Sequence, residues 1–355
     1  MPGLKVFDGS SWRATGVEDS QWDILSATAG GTVVNLSWPT AGGSPASYEI
    51  NLDNSVINVG NTTSYTVTGL TIGQSYSFKV RPVYSDGSTG GWSYFKNSGP
   101  AGFNNATGGT VTTVPNYNGT GQTWKVHKFT SSGTFTVTEN YGFHQFNVLV
   151  VGGGGGGGAS GGGSDRAGQY YRGGGGGGGG YRTSSISLAV ASHTVTVGAG
   201  AAGTAVSNTG TNRGGNSSIG TITSTGGGGG NWLLTGGTGG SGGGGGLGEN
   251  GNIAGAGGAG NTPSTSPSQG NNGAGSGGGG GGANSAASGT TGGSGKTTDI
   301  SGSTETYSAG GNASPGTGGA NTGKGGGSGG FVYAPSTPSG SSGGSGIVII
   351  AYQIG

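Results

Sequence analysis

The residues able to do chemistry in this sequence are few, and their spacing argues against most of it. His127, His144 and His193 are the three histidines, stand far apart, and have no cysteine to join them, so no zinc-ligand spacing is present. Beyond residue 150 the carboxylates are Asp165, Glu249, Asp299 and Glu305. A glycosidase places two carboxyl groups across one bond and tunes one of them by burial, whereas all four here sit in Gly/Ser/Thr surroundings. Val148-Leu149-Val150-Val151 followed by glycine satisfies a strand with Gly-x-Gly-x-x-Gly. A dinucleotide site also needs a helix whose N-terminus receives the pyrophosphate, and Ala159-Ser160-Gly161-Gly162-Gly163 followed by more glycine sustains none. Gly295-Lys296-Thr297 has Thr290 where a phosphate-binding loop needs glycine, and Lys296 reads as a solvated loop residue. No Gly-x-Ser-x-Gly stands at a strand-to-helix turn. No enzymatic activity, cofactor or metal is expected.

What remains is recognition without turnover. Asp165-Arg166, Tyr170-Tyr171-Arg172, Tyr181-Arg182, Asn231-Trp232, Tyr307 and Phe331-Val332-Tyr333 are the bulky groups of a nearly featureless tract. Aromatic rings cover the C–H faces of sugars while nearby polar groups bond their hydroxyls. Arg166, Tyr170, Tyr171, Arg172, Tyr181, Arg182, Asn231, Trp232, Tyr307 and Tyr333 are therefore the candidate contact residues. The competing reading is that Tyr170, Tyr181 and Trp232 simply cap the glycine tract or bury against a second copy.

The elements that must position them are unusual. Of 97 glycines in 355 residues, 21 lie in residues 1–150 and 76 in the remaining 205. That second part cannot hold an ordinary side-chain core. Uninterrupted glycine occupies 152–158, 173–180, 226–230, 242–246 and 277–282. A flexible linker is the plain reading of Gly/Ser tracts, but no linker needs more than 150 residues. Collagen needs glycine at every third position with abundant proline, and Pro263, Pro267, Pro315, Pro335 and Pro338 are too few. Polyglycine II, a left-handed threefold helix rising about 3.1 Å per residue without internal hydrogen bonds, fits better. Its amides point outward to neighbouring helices, and any Cβ inside such a lattice would wedge them apart.

Charge adds little. The first 150 residues carry 7 basic and 8 acidic groups and the rest 6 and 4, so neither half offers the clustered cations that nucleic acid requires. The start lacks a secretory apolar run, and Ile347–Tyr352 is too short to span a bilayer; no membrane insertion is expected.

Before the tract, residues 1–22 read as a small hairpin-like attachment segment. Residues 23–98 alternate in short strands: Thr32–Trp38, Ser47–Leu52, Ser64–Val67 and Tyr76–Val83. Trp38 as core tryptophan and Leu70-Thr71-Ile72-Gly73-Gln74-Ser75-Tyr76 as a tyrosine-corner segment resemble a fibronectin type III domain, with Ile72 in place of the usual proline. Residues 99–117 read as a linker. Residues 118–355 read as a glycine-rich domain in which strands at about 123–151, 183–224 and 346–354 bracket polyglycine helices. The fold class is thus all-β: a fibronectin type III-like sandwich followed by β-strands and packed polyglycine II helices.

The order Phe146–Val151, glycine run, Gly173–Tyr181, Val195-Thr196-Val197-Gly198-Ala199-Gly200, Gly215–Gly220, Gly226–Gly230 and closing Gly344-Ser345-Gly346-Ile347-Val348-Ile349-Ile350 resembles the glycine-rich C-terminal domain of bacteriophage tail-fibre and minor tail proteins. Lys5-Val6-Phe7-Asp8-Gly9-Ser10-Ser11-Trp12 is similar to openings of minor tail proteins. The resemblance implies a virion tail protein assembled in the host cytoplasm, attached to other tail proteins through its N-terminal region. It implies adhesion of connecting loops to a host surface glycan or protein; with glycine helices that need partners it makes a homotrimer the preferred assembly, the alternative being a monomer packed by its own runs. The alternative it leaves is a purely structural virion component.

Overall fold

The computed structural model describes residues 5–7, 12–14, 26–30, 32–71, 74–98, 103–140, 145–161, 170–205, 212–248, 251–333 and 338–354. Two compact units divide the chain, Met1–Gly102 and Phe103–Gly355. Among the described residues nearly all regular structure is strand.

In the first unit, strands Lys5–Phe7 and Trp12–Ala14 pair antiparallel. The alternating segments form two antiparallel sheets. One joins Ser26–Gly30, Val33–Ser37 and Ser64–Val67; the other joins Ser55–Asn58, Ser47–Leu52, Tyr76–Val83 and Lys96–Ser98. The inward residues of each, as period-two alternation requires, form a core of Val34, Leu36, Trp38, Tyr48, Ile50, Val67, Phe78 and Val80. The Thr71 amide donates to the Tyr76 hydroxyl at 2.9 Å, the tyrosine corner expected from the segment; Ile72 lies outside the described residues.

The second unit is built on two five-stranded sheets. The outer one runs Asn105–Thr107, Gly133–Glu139, Ser192–Thr196, Ser217–Ile219, Ile222–Ser224; the inner one runs Thr110–Val114, Trp124–Phe129, Ile347–Gln353, Phe146–Val151, Tyr181–Ile186. Between them pack Phe135, Phe146, Val148, Val150, Val195, Ile219, Val348, Ile350 and Tyr352. On the other face of the inner sheet Leu149, Val151, Ile347 and Ile349 meet Tyr117, Tyr181, Ile300 and Tyr307. A strand buried on both faces reads as a continuous apolar run rather than an alternating one, which accounts for Phe146–Val151 and Ile347–Tyr352. Val151 is paired with Ile347, so the glycine-rich excursion leaves and re-enters the sheet at neighbouring positions.

The expected linker over 99–117 requires correction. Asn105–Thr107 and Thr110–Val114 are strands of the outer and inner sheets, so the second unit begins near residue 103. Gly108 between them has φ +114°, and a Cβ there would meet Thr134 O; the Gly/Thr/Asn composition that reads as linker is that of a tight crossover between two sheets.

Candidate functional site

Between Gly152 and Gly346 the described glycine-rich segments outside the sheets run extended and are joined to one another through the backbone. Gly152, Gly155 and Gly158 donate to Gly180, Gly177 and Gly174. Gly153 and Gly156 donate to Gly215 and Asn212, and Gly154 and Gly157 donate to Gly344 and Ser341. Every third residue thus faces the same neighbour, the threefold repeat of polyglycine II. The run 173–180 lies in the interior. Its amides from Gly174 to Gly180 donate at 2.7–2.9 Å to segments 225–231, 278–281 and 323–326, while its carbonyls accept from 152–158, 241–244 and Gly311. A Cβ built on any residue of 152–158 or 173–179 would fall within 3.0 Å of a neighbouring backbone oxygen; pure glycine is required sterically. At the rim the demand relaxes to one residue in three: Gly200 and Gly203 are shut in by Gly343 and Gly340, while Ala199 and Ala202, which precede them, are exposed.

This lattice has two ends. Gly152, Gly180 and Thr225 adjoin the sheets. Gly158, Gly174 and Asn231, three segments joined by Gly158→Gly174 and Gly174→Asn231 bonds, mark the opposite end, or tip. There Tyr170–Arg172 pairs with Phe331–Tyr333 and, through Arg172, with Leu247–Gly248, which in turn pairs with Ile253–Ala254. The Tyr171 and Trp232 rings lie 6.1 Å apart, and a Cβ on Gly248 would strike Leu233 and Tyr171. Asn231 Oδ1 accepts from the Trp232 amide at 2.7 Å and its Nδ2 donates to Thr235 O at 3.0 Å, closing the turn.

The sequence candidates separate accordingly. Tyr170, Tyr171, Arg172, Asn231, Trp232 and Tyr333 gather at the tip. Tyr171 (1% exposed) and Asn231 (4%) are interior residues and leave the contact set: a bulky group excluded from the lattice packs over its end. Of Tyr170 and Tyr333 only the pairing register is described, and Arg166 lies outside the described residues. Tyr307 also leaves the set. It is buried beneath the inner sheet, donates to Glu305 Oε2 at 2.7 Å, and burial, with Glu305 beside it, pushes its hydroxyl above the ordinary tyrosine value. The same bond holds the Glu305 carboxyl below its usual range. Tyr181 and Arg182 sit at the sheet end, far along the run from the tip. Tyr181 is buried, with its hydroxyl raised by desolvation; Arg182 is half-buried and donates to Thr223 O at 3.1 Å.

Three features escape sequence reasoning. Leu234, at the tip turn, is 55% exposed. Gln269 is fully buried; it accepts from the Thr225 amide, donates to Pro263 O, and its carbonyl accepts from the Tyr181 amide. Lys296 is in strand Lys296–Thr298, half-buried, with its ammonium 5.5 Å from the Tyr181 ring centre, not in a solvated loop. Among the described residues no group of three or more His, Asp or Glu is placed to hold a metal, and no helix is long and apolar enough to cross a membrane.

Residues 130–353 match the family described as a glycine-rich domain, and residues 23–95 match the fibronectin type III domain. No curated protein matches the chain.

Proposed function

We propose that this chain, which belongs to the glycine-rich domain family, is a fibre or tip component of a bacteriophage tail and acts by non-covalent adhesion to the host cell surface. The observation that carries the reading is the tip. A lattice whose central run has every amide from Gly174 to Gly180 bonded within one chain holds, at the end opposite the sheets, the turn after Asn231 and the pairing of Tyr170–Arg172 with Phe331–Tyr333. Rigid scaffolds with variable turns are the usual architecture of recognition surfaces. The N-terminal segment would attach the chain to other tail proteins and the fibronectin type III unit would space it from them. Several copies per particle, with a homotrimer preferred on the fibre resemblance, would multiply weak contacts through effective concentration. The lattice itself, complete in one chain, adds no argument for the trimer. No catalytic step is assigned to it, and a host glycan or protein is the partner.

The test is adsorption. Particles carrying the chain without residues 103–355 should assemble and fail to adsorb. Leu234→Asp, which alters an exposed tip side chain and no lattice bond, should weaken adsorption while leaving the thermal midpoint of the purified chain unchanged. Normal adsorption of truncated particles refutes adhesion and leaves the structural virion component.

A further inference from the structure

We infer that the groove between strand Tyr181–Ile186 and the turn 261–269, at the sheet end of the lattice, is a binding cavity for one acidic residue of a saccharide chain, a carboxylate-bearing sugar. Tyr181–Ile186 is the edge strand of the inner sheet, so no further strand covers its outer side, where Gln269 O takes the Tyr181 amide. Beside it lies a cavity of about 210 Å³ lined by Arg182, Ser184, Ser266, Pro267, Ser268 and Lys296 together with Tyr181 and Thr183. That is below the roughly 300–1,000 Å³ of sites that engulf a whole drug-sized ligand, so it suits one unit of a longer chain.

The chemistry of the walls selects the class. Arg182 and Lys296 are two cations on one cavity. The ion pairs among the described residues are Arg81–Glu49 and Lys128–Glu305, so neither cavity cation is paired with a described carboxylate; Asp299 is exposed and acts on the Tyr181 hydroxyl. Thr223 O takes one of the five guanidinium N–H donors, which fixes the fork that a carboxylate accepts bidentately. Ser184, Ser266 and Ser268 supply hydroxyls that donate and accept, as sugar hydroxyls require, and the exposed Pro267 ring supplies an apolar face for C–H groups.

The far wall is already ordered. Asn261 Oδ1 accepts from the Thr265 amide at 3.0 Å and the Gln269 amide at 3.2 Å, and Ser268 Oγ donates to Gly270 O at 2.7 Å. Gln269, buried, ties that turn to both Thr225 and Tyr181. A ligand would therefore find its hydroxyl partners placed in advance, which lowers the ordering cost of binding. This site is distinct from the tip and does not rest on the adhesion reading.

Calorimetric titration of the full chain with hyaluronan hexasaccharide and with a polygalacturonate hexamer, against neutral chitohexaose, tests it. At least one uronate oligomer should bind saturably and chitohexaose should not. Arg182→Gln and Lys296→Gln should each weaken uronate binding about tenfold or more, with Arg182→Lys retaining part of it and thermal midpoints staying at the parent value. Should Arg182→Gln fail to fold, Lys296→Gln carries the comparison. No binding of either uronate, equal binding of chitohexaose, or parental affinity in folded variants overturns the proposal. Displacement of the hexamer by equimolar inorganic phosphate would reduce the site to a general anion site and overturn the sugar assignment. Uronate binding together with normal adsorption of truncated particles would refute the tip reading alone.

Discussion

Gly176→Ala adds one methyl group to a lattice that has no room for it. Gly176 lies mid-run, donates to Gly326 O and accepts from the Gly311 amide, both at 2.8 Å. A Cβ there would run into the Gly155 carbonyl, which is backbone and cannot rotate away. Relief requires the segments 152–158 and 173–180 to separate, which strains the three bonds Gly152→Gly180, Gly155→Gly177 and Gly158→Gly174. At about 1 kcal/mol net for each that is about 3 kcal/mol, and overpacking elsewhere adds roughly 1–3 kcal/mol. Lower unfolded-state entropy in alanine returns about 0.4–1 kcal/mol, leaving a loss of about 3–6 kcal/mol. For a unit of this size 1 kcal/mol moves the midpoint by about 2–4 °C, so a fall on the order of 10 °C is expected by calorimetry. Gly316→Ala is the control. Nothing lies within 4 Å of its Cβ and its φ is not in the left-handed region, so it should be neutral or stabilise by about 0.4–1 kcal/mol. Equal midpoints for the two variants would refute the close-packed lattice.

The lattice also predicts hydrogen exchange: amides 174–180, bonded on every side, should exchange more slowly than those of the exposed turn 284–291. Gln269→Ala leaves the buried Thr225 amide without a partner and frees the carbonyl of the exposed Pro263, and at roughly 1–3 kcal/mol for an unsatisfied buried group should destabilise the second unit by about that much in urea titration. His127 is buried between the sheets, with Nδ1 donating to Gly108 O at 2.7 Å and Nε2 accepting from the Tyr352 hydroxyl at 3.3 Å. Desolvation lowers its pKa from 6.5, aided by Lys125 and opposed by the Gly108 bond. The unfolded chain therefore takes up a proton that the folded one resists, and stability present above 6.5 is lost as pH falls toward the folded value. His127→Gln should flatten the slope of stability between pH 7 and 5, and an unchanged slope would assign it to other groups.

Legibility followed the side chains. Trp38, Tyr76 and the alternation of Ser47–Leu52 mark the fibronectin type III unit because each position has an apolar or polar reason to face one way. Phe146–Val151 and Ile347–Tyr352 are visible as strands, and their burial on two faces explains their lack of alternation. The purity of runs 152–158 and 173–180 points to a lattice, but glycine has no side chain to encode which runs pair. Rim segments were less legible still. Residues 255–260, Gly-Ala-Gly-Gly-Ala-Gly, bury Gly255 and Gly258 and expose Ala256 and Ala259, a threefold pattern too short to separate from a Gly/Ala-rich loop.

The same physics explains why the contact residues read from sequence divide as they do. A bulky side chain cannot enter the lattice, so the bulky residues among 152–346 lie in the sheets, as Val195 and Ile219 do, or at a lattice end or turn, whatever their role. Proximity to a glycine run therefore marks capping first. Tyr171, 1% exposed, covers a lattice end with Trp232 packed on it, and Tyr307, also 1% exposed, packs against the face of the inner sheet. On the proposed reading, recognition would fall to groups that project beyond those caps or line a gap between them, as Leu234 does at the tip and Arg182 and Lys296 do at the sheet end. Because interior order comes from backbone bonds, such turns can change sequence without disturbing the packing beneath them. The interior is fixed by glycine and a few small residues such as Ser160 and Ser241, so on the adhesion reading the search for binding residues moves to side chains at the lattice ends that are not already buried as caps.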